Sequence, residues 1–153
     1  MESEVLTARA PADLSAVSAR LHDQILVLDG VEMDRYRSCL VLPILVRDLA
    51  GKRLVRSRLL GREYLVPLIR CTLKVEDARE YFVRDDQGIR FYCLENVISP
   101  SPSTVLLTTS ERTSVTISVA SISVVLSSGN EVVGQQSVRR GILGQEFGRV
   151  NLL

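Results

Sequence analysis

Downstream of Gln24 the apolar residues recur with a period of two rather than 3.6, and this feature restricts the chain to a β architecture. Tyr64 to Val75 alternates, with Leu65, Ile69, Cys71, Leu73 and Val75 on one side as core candidates. Thr104 to Thr109 and Thr113 to Leu126 read as a paired run, with Val115, Ile117 and Val119 on one face. Ile122, Val124 and Leu126 follow in the opposite phase, which predicts a β-bulge or bend near Ala120-Ser121. Cys39 to Val46 is apolar at every position, as fits a strand covered on both faces or one whose second face meets another subunit.

Turn residues divide these runs. Asp34 to Ser38, Asp48 to Gly51, Ser99 to Ser103 and Ser127 to Asn130 are expected outside strands. Glu80 to Arg84 and Ile89 to Leu94, joined by Asp85-Asp86-Gln87-Gly88, predict a hairpin. Pro43 and Pro67 lie inside strand-like runs, and since proline cannot donate to a ladder each marks an edge, a bulge or the start of a shorter strand. The tail, with Gly134, Gly141, Gly144 and Gly148 between arginines, is expected to pair only partly. Upstream, Pro11 to His22 predicts a short helix with Leu14, Val17 and Leu21 on one face, and residues 1 to 10 are expected to be flexible. Residues 11 to 153 then form one domain: an antiparallel sheet, a β-sandwich or a partly open barrel of about six to eight strands with one short N-terminal helix. A chain of 153 residues can fold without a disulfide or metal staple.

A formal charge of +1 leaves no net field toward nucleic acid or anionic membrane, so charge must act locally. Cys39, Cys71 and Cys93 are widely spaced with no Cys-x-x-Cys, and read as buried thiols of a reducing compartment. Met1-Glu2-Ser3-Glu4 lacks a leader's basic start, and no window reaches about 18 apolar residues. A cytoplasmic protein with no membrane partner is the expectation.

Candidate chemistry is sparse. His22 is the only histidine and Asp23 follows it, a pair that would serve as base and orienting carboxylate for a hydrolase. Adjacent residues on an extended chain face opposite ways, however, so a hydrogen-bonding role at the helix-to-strand junction is favoured. Neither a zinc-ligand spacing, an EF-hand loop nor a phosphate-binding glycine loop occurs, so no metal, cofactor or catalytic residue is assigned. Arg47, Lys52, Arg53, Arg56, Arg58 and Arg62 cluster against Asp48 alone, and Arg56 and Arg58 would share a strand face suited to phosphate contact. A solvated, edge-protecting strand accounts for the same charges.

Leu21-His22-Asp23-Gln24-Ile25-Leu26-Val27-Leu28-Asp29-Gly30-Val31-Glu32-Met33-Asp34 resembles the opening of small uncharacterised bacterial β proteins, which start with a His-Asp pair and a first strand ending in aspartate. Val115 to Val124 is similar to their closing strands. Some such proteins are immunity-type binding proteins, so the resemblance implies binding without a catalytic residue. The leading expectation is a non-enzymatic interaction protein that self-associates as a homodimer or other homo-oligomer, or takes a protein partner. A nucleic-acid binder using Arg53, Arg56, Arg58 and Arg62 is the alternative, and a hydrolase dependent on His22 is the third.

Overall fold

A computed structural model describes residues 5 to 153. Its strands are β1 (Val5–Ala8), β2 (Ile25–Val27), β3 (Glu32–Asp34), β4 (Cys39–Arg47), β5 (Arg53–Arg58), β6 (Gly61–Val75), β7 (Ala78–Arg84), β8 (Phe91–Ser101), β9 (Thr104–Thr109), β10 (Ser114–Val119), β11 (Val124–Gly141) and β12 (Gly144–Leu152). The helix α1 (Leu14–Leu21) follows a 3-10 turn at Pro11–Asp13. The twelve strands form one antiparallel sheet, not closed, in the order β1-β11-β6-β4-β2-β8-β9-β10-β7, with β3 also on β4, β5 on β6 and β12 on β11. The mainly β class with one short helix is as expected, but the strand count exceeds six to eight. Of the segment expected to be flexible, residues 1 to 10, the first four lie outside the described residues, and residues 5 to 8 pair with β11.

The extra strands come from breaks that hydropathy does not mark. β4 and β5 run along one edge of β6, separated only by the 3-10 turn Leu49–Gly51, and β2 and β3 run along β4, separated by the 3-10 turn Leu28–Gly30. Each proline faces such a break. A Cβ on Gly30 would meet the Pro43 ring at 2.9 Å, and one on Gly51 would meet the Pro67 ring at 3.2 Å. A residue that cannot donate thus sits where its neighbouring strand is interrupted. Ser127 to Asn130 is not a turn: β11 continues through it with register shifts between Ser128 and Val132 and again before Gly134. The glycine-rich tail likewise pairs along most of its length, as β12 on β11.

Burial explains the patterning. Leu40, Leu42, Ile44 and Val46 of β4 join Leu73 and Val75 of β6, Leu107, Val115 and Ile117 in the main core, with Leu14, Val17 and Leu21 of α1 packed into it. The other face of β4 holds Leu45, which meets Ile25, Val27 and Leu68 under Phe91, Val133 and Val150. The chain itself thus covers the second face of β4 at Leu45, while Cys39, Val41 and Pro43 on that face are half-buried. β6 changes its buried side partway: Cys71, Leu73 and Val75 face the main core, whereas Val66 and Leu68 are buried on the other side and Leu65 and Ile69 are only half-buried.

The expected hairpin of Glu80 to Leu94 does not form. β7 pairs with β10 and β8 with β2 and β9, so two strands separate them. Asp85 accepts from the backbone N–H of Gln87 and Gly88, from the Tyr92 hydroxyl and from Thr113 Oγ1, which anchors the connection across the end of β10. The phase change near Ala120-Ser121 comes with the expected bend: the register of β10 on β7 shifts between Ser118 and Val119, and the chain bends through Ala120-Ser121 before entering β11.

Candidate functional site

His22 caps the C-terminus of α1 and Asp23 turns the chain into β2 with φ 65°. The His22 Nδ1–H donates to the Glu95 carbonyl at 2.8 Å, while its Nε2 lies 3.7 Å from the Asp23 carboxylate. The Glu95 bond first and Asp23 second raise the imidazole pKa above its ordinary value. Cys93 Sγ is 3.7 Å from the same carboxylate, and burial together with Asp23 pushes its thiol up. A thiol nucleophile needs a neighbour, such as an imidazole or a guanidinium, that depresses its pKa, and at Cys93 burial and Asp23 outweigh Arg47. Here the carboxylate stands between thiol and imidazole, an order that keeps the thiol protonated.

The arginine-rich segment builds something more distinctive. β5, the first part of β6, the last part of β11 and β12 form a four-stranded arm. Arg58 pairs with Gly61, Gly61 with Gly141 and Gly141 with Gly144, so the two-residue turns Leu59-Leu60 and Ile142-Leu143 lie side by side at its tip. A Cβ on Gly61 would meet the Arg140 carbonyl at 2.9 Å, so glycine is what lets the turns close up. Leu59, Leu60, Ile142 and Leu143 are 100, 67, 79 and 104% exposed. Tight hairpin turns favour Asn, Asp and Gly. Turn chemistry does not call for four aliphatics there, and they cover no core.

Directly opposed residues share a face of a sheet. Arg56, Glu63, Arg139 and Glu146 therefore form one row across the arm with alternating charge, and Arg139 Nε lies 4.0 Å from Glu63. Arg53 and Arg58 belong to this face. Arg62 belongs to the other, directly opposite Arg140. The four arginines singled out in the sequence thus do not converge: three share a face with Glu63 and Glu146, and the fourth points away. A groove of about 470 Å³ lies at this end of the arm, lined by Arg56, Arg58, Glu63 and Arg139 of the charge-alternating face and also by Arg62 and Arg140.

The arm is fixed to the body by Arg47 at the end of β4. Its side chain is buried, its Nε donates to Gln136 Oε1 at 2.7 Å, its Nη1 donates to the Asp23 carbonyl, and its guanidinium lies 3.8 Å over the Phe147 ring. Burial pulls this guanidinium pKa down, but arginine stays charged at any working pH. Gln136 in turn donates to the Gly148 carbonyl at 2.9 Å.

The tip residues, Arg139, Arg140 and the latch role of Arg47 escape reading of the sequence by charge alone. One signal does mark the tip: Leu59-Leu60-Gly61 and Ile142-Leu143-Gly144 repeat an aliphatic pair before glycine, each preceded within two residues by arginine. The class defined by fold and site is a β-sheet protein with an aliphatic-tipped, arginine-flanked arm. No protein family, curated protein or solved structure matches the chain. Among the described residues no helix is long and apolar enough to cross a membrane.

Proposed function

We propose that the chain is a non-enzymatic interaction protein that binds through its four-stranded arm, in a reducing, cytoplasmic setting suited to its three free thiols. The exposed tip carries this reading. Single aliphatics on a surface are ordinary, but a contiguous group rimmed by charge is characteristic of binding sites. The assay compares wild type with Leu59→Asn/Leu60→Gly/Ile142→Asn/Leu143→Gly. The variant is expected to unfold at the same temperature, because it removes no packed contact, and to lose association with a second copy or a polynucleotide. Hydrolytic turnover on an ester, peptide and phosphodiester panel that vanishes in His22→Ala would overturn the non-enzymatic reading.

A second reading rests on Arg53, Arg56 and Arg58 sharing one face of the exposed edge strand β5, a spacing able to follow phosphates. It predicts polynucleotide binding that weakens steeply with salt and disappears when those arginines are reversed in charge. Titration at low salt without measurable binding would end it.

A further inference from the structure

We infer that the occupant of the arm's charge-alternating face is a second copy of this chain, docked about a two-fold axis parallel to the arm strands. This rests on the reading of the arm as the binding element. Across the face the row reads Arg56, Glu63, Arg139, Glu146, plus, minus, plus, minus. Rotation about a strand-parallel axis brings the first position over the fourth and the second over the third. Arg56 then meets Glu146 of the second copy, and Glu63 meets Arg139 of the second copy, each twice by symmetry. A two-fold axis across the strands instead sets arginine on arginine, so charge selects the first operator.

The same operator leaves position along the strands unchanged. Both tips therefore arrive at the same end of the dimer, and Leu59, Leu60, Ile142 and Leu143 of each copy come together. Between tip and charge row lies the row Arg58, Gly61, Gly141, Gly144, with no side chain beyond Arg58. Arg58 of the second copy meets Gly144, over the groove floor. One symmetry operation thus answers the charge pattern, the bare glycine row and the exposed aliphatics together. Four strands about 4.8 Å apart and six residues of about 3.3 Å give a face of roughly 20 by 20 Å. That is a small interface, in the range of transient contacts, and a dissociation constant on the order of 10 to 100 μM is expected.

Sedimentation equilibrium of the full chain from about 5 to 500 μM tests this. Wild type is expected to move from monomer to dimer across that range. Arg56→Glu/Arg139→Glu makes the row wholly acidic and Glu63→Arg/Glu146→Arg makes it wholly basic; each alone is expected to bind itself at least about 10-fold more weakly. Mixed one to one they are expected to recover a heterodimer, a result that two unfolded variants could not give. Dimerisation of each charge variant alone at wild-type strength would overturn the assigned face. A wild type that stays monomeric overturns self-docking; if it then binds a single-stranded polynucleotide through Arg56 and Arg58, the arm remains a binding element, and if it binds neither, that reading falls as well.

Discussion

Replacing Arg47 tests how the arm is held. The Nε bond to Gln136 at 2.7 Å is charge-assisted, worth about 1.5 to 3 kcal/mol, and the desolvated contact with the Phe147 ring at 3.8 Å adds about 1 to 2 kcal/mol. Relief of the buried charge offsets several kcal/mol when the side chain is removed. Against that, Arg47→Ala leaves Gln136 Oε1 and the Asp23 carbonyl short of a donor beside a new cavity. The net loss is about 2 to 4 kcal/mol, which lowers Tm by roughly 5 to 15 °C for a chain of this size. Arg47→Met fills the stem's volume and still covers Phe147, so it should cost about half as much. Urea titrations give the magnitude, and hydrogen exchange gives the location: amides of β12 and the last part of β11 should lose protection before those of β9 and β10. A loss below about 0.5 kcal/mol for Arg47→Ala, or equal loss of protection in β9 and β10, would refute the latch.

Other outcomes follow from the same structure. Leu73 is fully buried, so Leu73→Ala should cost about 2 to 5 kcal/mol in chemical denaturation, whereas Leu60→Ala at the tip should change stability by less than about 0.5 kcal/mol. The Tyr92 hydroxyl bond, followed by the Gly88 backbone bond, lowers the Asp85 pKa. Its contribution is present above the unfolded carboxylate value of about 3.9 and is lost as pH falls through the lower folded value. Asp85→Asn should therefore reduce stability at neutral pH and flatten the acid limb of a urea-midpoint profile. His22 has a raised pKa, so its contribution is present below the unfolded value of about 6.5 and is lost as pH rises through the folded one. Urea midpoints at acid and alkaline pH should differ less in His22→Ala than in wild type.

The parts of the fold that were legible are those where one local rule acted alone. α1 could be read because Pro11 opens its helical entry and Leu14, Val17 and Leu21 share a stripe that the core accepts. β9 and β10 could be read because their alternation serves one core face along their whole length. β6 could be read only in part, since it buries opposite sides at its two ends and no single phase describes it. The supposed hairpin at Asp85 failed because turn chemistry fixes the local bend without specifying strand partners. Asp85 supplies its own acceptors to the loop, and the pairing of β7 and β8 is decided by β9 and β10 arriving later in the chain.

Local consistency also explains why the sequence presents the arm as two unrelated segments, a basic stretch and a loosely paired glycine tail. Arg53 to Arg58 and Gly134 to Gly148 are far apart in sequence, and the pairing of β6 with β11, from Gly134 opposite Leu68 to Gly141 opposite Gly61, brings them into one sheet. Once paired, the excess positive charge of the first segment is met by Glu63 and Glu146, so a ridge that looked suited to phosphate becomes an alternating row. The residues that break local rules remain unaccounted for by folding: aliphatics where a turn prefers Asn or Gly, and arginines 62 and 140 set directly opposite one another. Natural sequences agree with their folds at every level except where function overrides stability. These departures lie together at one end of one element, and that concentration, more than the charge count, is what the proposal of the arm as a binding surface rests on.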